Sequence, residues 1–327
     1  MLFSSRLIVA AVLLVTVIIG PVHAMDTLQA PSFSDPAQTQ DMPKEWRDKK
    51  ITYDESAKDA DLVIDMNQQI YPYFIPALNK FAADEGIKIV ILEGTCGKSA
   101  GRISHKQVDL ASFCCPPGKI DRLPDQKFHT IGIMSLSLLV NPENPVKGVT
   151  LEQARAIYQG DIGNWSEVEG ESLIIKPLAS LHCKLRPGHW RLLLGHEDDF
   201  GQDMLEVGEM SDMIALVAAD KAAIGIETDL VAKRFKERGV VRSMDINGYS
   251  TNDLDSLLNL NYPLYRTFVF SSWSREDLST NLSRKALKVI MDEAERIGPS
   301  IGLAPPSMLR KAGWKFQDDE LIGEPDK

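Results

Sequence analysis

Residues 61–115 read DLVIDMNQQIYPYFIPALNKFAADEGIKIVILEGTCGKSAGRISHKQVDLASFCC, and their pattern sets the fold class. DLVIDM (61–66), IKIVILEG (87–94) and VDLASFC (108–114) are short apolar runs that barely alternate. Strands buried on both faces read this way. Between the first two, YFIPALNKFAADEG (73–86) carries apolar residues at helical spacing and ends on Gly86, a C-terminal cap. KSAGRISHKQ (98–107) reads as the next helix. A β-α-β-α-β order with such strands predicts an α/β protein with a mainly parallel sheet flanked by helices on both faces.

The rest of the chain continues in kind. FHTIGIMSLSLLVNPENP (128–145) is one long apolar passage closed by prolines, and TLEQARAIYQG (150–160) predicts a helix capped by Thr150 and Gly160. SLIIKPLASL (172–181), SDMIALVAAD (211–220) and AAIGIETDLVAK (222–233) predict strand, helix, and strand with its exit. YPLYRTFVFSSW (262–273) reads as a strand and NLSRKALKVIMDEAERIG (281–298) as an amphipathic helix. Residues 25–59 are polar and broken by Pro31, Pro36 and Pro43, so a flexible lead-in is expected there.

With 327 residues, 44% hydrophobic and 25% charged, the composition is that of a soluble globular protein of about two domains. A net charge of −10 argues against sequence-independent nucleic-acid binding, which needs a basic face. At the N-terminus Arg6 precedes an apolar run, Leu7 to Gly20, and PVHA closes on the small Ala24. This is the layout of a cleaved signal peptide over residues 1–24, with an uncleaved anchor as the alternative. The run is shorter than the ~20 residues of a membrane span. Export to the periplasm or beyond follows, with a monomeric mature chain.

Four stretches in order carry a resemblance: EGTCGKSAGR (93–102), GVTLEQARAIYQGDIGNWSEVEG (148–170), AAIGIETD (222–229) and YPLYRTFVF (262–270). Together the chain resembles the periplasmic phosphate-binding protein family, the receptors that feed ABC importers. The resemblance implies a two-lobed periplasmic-binding-protein fold with the ligand between the lobes. Lobe one would span 60–140 plus 233–327, and lobe two 141–232. It implies a binding protein rather than an enzyme, with no cofactor. The partners would be a small anionic ligand and an ABC permease or a membrane sensor.

In such a fold an anion sits where a strand ends and a helix N-terminus offers free N–H groups. Two turns qualify, MNQQIY and GTCGKSAG. The second supplies Thr95, Cys96, Gly97, Lys98 and Ser99; the first presents Asn67, Gln68 and Gln69 where the family has small hydroxyl residues. From lobe two, HCKLRPGHWR (182–191) offers Cys183, Arg186 and His189, without the family's Ser-Gly-Thr turn. The depleted hydroxyl donors weaken the case for phosphate itself.

Sulfur enters as the hydroxyls leave. Cys96, Cys114 and Cys115 lie at neighbouring strand ends, and Cys183 with His182 and His189 would face them. Three readings stay open: a structural disulfide from Cys96 to Cys114 or Cys115, a soft-ligand site of thiolate and imidazole, or a redox-active thiol pair. The spacing fits no standard zinc motif, there is no CxxC, and no catalytic nucleophile motif is legible.

Overall fold

The structure is a computed structural model that describes residues 33–181, 186, 188–196 and 198–326. The signal-peptide reading, together with Cys183 and His182, lies outside the described residues.

The first lobe is built by α1 (Lys44–Asp48), β1 (Leu62–Asn67), α2 (Tyr71–Glu85), β2 (Ile89–Gly94), α3 (Cys96–Ser104), β3 (Leu110–Phe113) and β4 (Gln126–Ser135). The chain then passes into β5 (Ser137–Val140), β6 (Gly148–Val149), α4 (Leu151–Gln159), β7 (Lys176–Ala179), α5 (His189–Leu194) and β8 (Leu205–Glu206). It continues through α6 (Met210–Ala219), β9 (Ala223–Glu227), α7 (Asp229–Arg234), β10 (Arg242–Ser243) and β11 (Asp245–Ile246). α8 (Leu254–Leu258), β12 (Tyr265–Trp273), α9 (Asn281–Ile297), β13 (Leu303–Ala304), α10 (Pro306–Lys311), β14 (Lys315–Gln317) and β15 (Glu320–Gly323) complete it.

Two sheets define the two lobes. The first has the order β13-β4-β12-β3-β1-β2 and the second β10-β5-β9-β7-β8. Pairing is parallel from β3 through β1 to β2, and from β9 through β7 to β8. It is antiparallel where β12 and β13 meet β3 and β4, and where β5 meets β9 and β10. The sheets are therefore mixed: returning strands add antiparallel edges to a parallel start.

Local chemistry explains the helices. α2 buries Phe74, Leu78, Phe81 and Ala82 on one stripe, and Gly86 ends it at φ 67°. α4 has a capping box, in which Gln153 N–H donates to Thr150 Oγ1 while Thr150 N–H donates to Gln153.

The crossings between lobes fall elsewhere than residues 140 and 232. β4 belongs to the first sheet and β5 to the second, with only Leu136 between them. β10 and β11 still pair with β5 and β6, so the return comes between Ile246 and Tyr265. Residues 130–140 are buried without a break across the two sheets, so no exposed turn marks the passage.

Residues 33–59 are not a free lead-in. Lys106, fully buried, donates from Nζ to the carbonyls of Trp46 and Lys49 at 2.7 Å and of Arg47 at 3.1 Å. Its ammonium lies 4.2 Å from the Trp46 ring centroid. A cation at the carboxyl end of α1 satisfies the carbonyls that the helix leaves open. Burial lowers the Lys106 pKa from its ordinary value.

Candidate functional site

The carboxyl ends of β1, β2 and β3 face the second lobe, where open α/β sheets place ligands. A continuous polar seam runs from them across the gap. Cys96 opens α3 and is fully buried, and its Sγ lies 2.8 Å from Cys114 Sγ. The Cys114 N–H donates to Cys96 Sγ at 2.9 Å, and Asn67 Nδ2 approaches it at 3.9 Å. Asn67 is held in turn: its N–H donates to Ser112 Oγ and its Oδ1 accepts from Gln69 N–H at 3.0 Å.

Gln69 then reaches the second lobe. Its Oε1 accepts from Thr228 Oγ1 at 2.9 Å, just past the end of β9. The neighbouring Glu227 Oε2 lies 3.1 Å from Arg266 Nη1 on β12. Gln69, Glu227, Thr228 and Arg266 are all buried, with exposures of 0 to 2%. Among the described residues, Gln69 Nε2 and Glu227 Oε1 have no hydrogen-bond partner. Buried polar atoms are normally satisfied, so these two mark unused capacity for a bound group or water.

The other expected site residues sit around this seam. Thr95 caps α3, accepting from Lys98 N–H at 3.5 Å, and Gly97 and Lys98 face solvent. Ser99 is buried and donates to Asp65, which also pairs with Arg102. Burial raises the Asp65 pKa, while Ser99 and Arg102 pull it back. Gly94 is required beside it, since a Cβ there would lie 2.6 Å from Asp65 Oδ1. Ser99 thus serves a buried carboxylate instead of the cleft.

Arg186 enters from the second lobe but meets a carboxylate. Its Nε and Nη2 donate to both oxygens of Asp121 at 2.6 to 3.1 Å, and both side chains are almost sealed. Gly188, at φ 134°, packs on the first lobe, where a Cβ would lie 3.3 Å from Pro116 and 3.9 Å from Cys115 Sγ. His189 opens α5. Gln68 Nε2 lies 3.3 Å from Met210 Sδ, while Arg234 donates to the Gln68 carbonyl and to Glu93 at 2.6 Å.

Among the described residues no group of three His, Cys, Asp or Glu side chains is arranged to hold a metal ion. Reading the sequence missed Asp121, Glu227, Thr228 and Arg266 as members of the interlobe contact. Glu227, Thr228 and Arg266 lie inside two of the resemblance stretches, AAIGIETD and YPLYRTFVF, so a signal was present.

No protein-family model matches the chain. Solved structures match over most of it. A phosphate ABC transporter substrate-binding protein with bound phosphate, from Clostridium perfringens, has a TM-score of 0.63 and 17% identity, over 75% of this chain and 98% of its own. An ABC-type phosphate transport receptor from Vibrio cholerae gives 0.59 and 18%, over 75% of this chain and 100% of its own. The chain therefore has the two-lobed periplasmic-binding-protein fold, as the four motifs imply.

Proposed function

We propose that this chain is an exported two-lobed receptor that seats a small polar solute between its lobes, for delivery to a membrane permease or sensor. The observation that carries the reading is the buried seam from Cys96 to Arg266, with Gln69 Nε2 and Glu227 Oε1 left unsatisfied inside it. Fold likeness to phosphate receptors supports the receptor role, but the charges argue for a different ligand. Arg186 faces Asp121, Arg234 faces Glu93 and Arg266 faces Glu227. A dianion would have to displace a carboxylate from its arginine without compensation. A solute of no net charge, including a zwitterion, fits the balanced pairs.

Calorimetry of the mature protein separates the cases. Phosphate, arsenate, sulfate and molybdate are expected to give no binding heat, whereas a panel of zwitterionic amino acids and neutral polar solutes is expected to contain a ligand. Micromolar binding of any of the four oxyanions would sink the charge argument.

The sulfur pair supports a second reading, a redox-active edge to the same cleft. Cys96 and Cys114 are already in contact, and the Cys114 N–H donates to Cys96 Sγ. Oxidation by glutathione disulfide would form the Cys96–Cys114 bond, with two protons and two electrons leaving to give two molecules of reduced glutathione. Peptide mapping without reductant should then recover residues 96 and 114 in one cross-linked product that dithiothreitol cleaves. If that product never forms, the pair has no redox role.

A further inference from the structure

Away from the seam, three side chains that no sequence motif joins meet on one face of the first sheet. His129 on β4 places Nε2 2.9 Å from Ser272 Oγ on β12, and Nδ1 3.1 Å from Asp319 Oδ2. The antiparallel register sets His129 opposite Phe270 and Lys127 opposite Ser272, so His129 and Ser272 are diagonal neighbours on one face. Asp319 stands in the turn between β14 and β15. Its hairpin is fixed to β4 by Thr130 N–H donating to the Asp319 carbonyl at 2.9 Å and Leu321 N–H to Thr130 Oγ1 at 3.0 Å.

All three residues line a cavity of about 530 Å3. Leu287 and Met291 give it apolar surface, and Lys127, Arg284 and Lys288 bring positive charge to the same space beside Glu276. A carboxylate, an imidazole and a hydroxyl in this order form the orienting group, base and nucleophile of acyl transfer, which is recognised by geometry rather than chain order. Burial holds the His129 pKa below its ordinary value, against the pull of Asp319. A neutral ring whose Nδ1–H is held by Asp319 presents a lone pair on Nε2 to the serine hydroxyl. Tethering the hairpin would need only the contact between Asp319 and His129; it does not call for a hydroxyl in line beyond the ring and open to a cavity.

We propose that Ser272, His129 and Asp319 form a second, hydrolytic site, acting on small carboxylic esters with an apolar acyl chain. Ser272 Oγ attacks the carbonyl carbon as its proton passes to His129 Nε2. The tetrahedral oxyanion faces the cationic side of the cavity, where Lys127 and Arg284 stand. Its collapse breaks the bond to the alcohol, which leaves with the proton from Nε2 and gives acyl-Ser272. Water then attacks the acyl carbon, giving its proton to Nε2. The second collapse releases the acid and returns that proton to Ser272.

The test treats the full mature protein with a fluorophosphonate probe and maps the adduct by mass spectrometry, alongside hydrolysis of p-nitrophenyl butyrate. The adduct is expected on Ser272. Ser272→Ala and His129→Gln are expected to lower hydrolysis at least about 100-fold with unchanged near-UV circular dichroism. Ser274→Ala, which alters a neighbouring hydroxyl of the cavity, should keep the parent rate. No adduct at Ser272, or parent-level hydrolysis by Ser272→Ala, would overturn the proposal. Because the adduct is read on the unmodified chain, a variant that failed to fold would not leave the question open.

Discussion

Replacing Arg186 with alanine is expected to part the two lobes rather than to unfold the protein. Arg186 precedes α5 in the second lobe and holds Asp121 of the first through two guanidinium nitrogens, in a contact almost closed to water. Removing one member of a buried pair costs about 3–5 kcal/mol, mostly because the surviving charge is stranded. That cost falls on the closed arrangement alone. Once the lobes separate, Asp121 regains water and the penalty disappears, so opening is the cheaper response. At about 1.4 kcal/mol per factor of ten, the closed population should fall by at least about 100-fold. Small-angle scattering should report a larger radius of gyration while the thermal midpoint moves little. Asp121→Ala should behave alike, and the double variant should recover the closed form because no charge is left unpaired. An Arg186→Ala protein with the parent's radius and a sharply lower midpoint would mean that the pair acts within one rigid body.

Trp165→Ala should cost the second lobe about 3–5 kcal/mol through the cavity it leaves, and about 1 kcal/mol more for the partner it strands. Trp165 is among the largest fully buried side chains, and its Nε1 donates to the Ala222 carbonyl at 3.0 Å. Asn164 fixes its approach by accepting from Ser166 N–H at 3.0 Å. Trp165→Phe keeps most of the apolar contact and loses the donor, so its loss should be well under half as large. Urea titration of the three proteins gives the comparison. A loss below about 1 kcal/mol for the alanine variant would contradict the packing argument.

These two residues also show what the sequence made legible. The Asn-Trp pair in GNWSEVEG could be read as a family mark, and it proves to be a core position with its own cap. The parallel start of the first sheet, the helix caps at Gly86, Thr150 and Gly160, and the cleft-facing turns after β1 and β2 follow from local pattern, which short-range chemistry determines. The change of sheet at Leu136 does not, because the chain stays buried through the crossing, with no Gly, Pro or charged residue there to announce it. Nor do the charge pairs. Arg186 looked available for an anion because its carboxylate lies 65 residues earlier in the chain. Glu227 and Arg266 became partners only through the meeting of β9 and β12 at the hinge. The same holds for His129, Ser272 and Asp319, which share no motif and are assembled by register and by a C-terminal hairpin.

The single residue between β4 and β5 has a consequence for how the chain can be cut and rejoined. Ser135 is the register partner of Tyr265, and Leu136 N–H donates to the Leu264 carbonyl at 3.0 Å. The exit to the second lobe and the return from it are therefore adjacent rungs of one antiparallel ladder. In gene terms the second lobe is a cassette spliced into the tip of a hairpin. A short turn could close that hairpin in its place and keep all six strands of the first sheet.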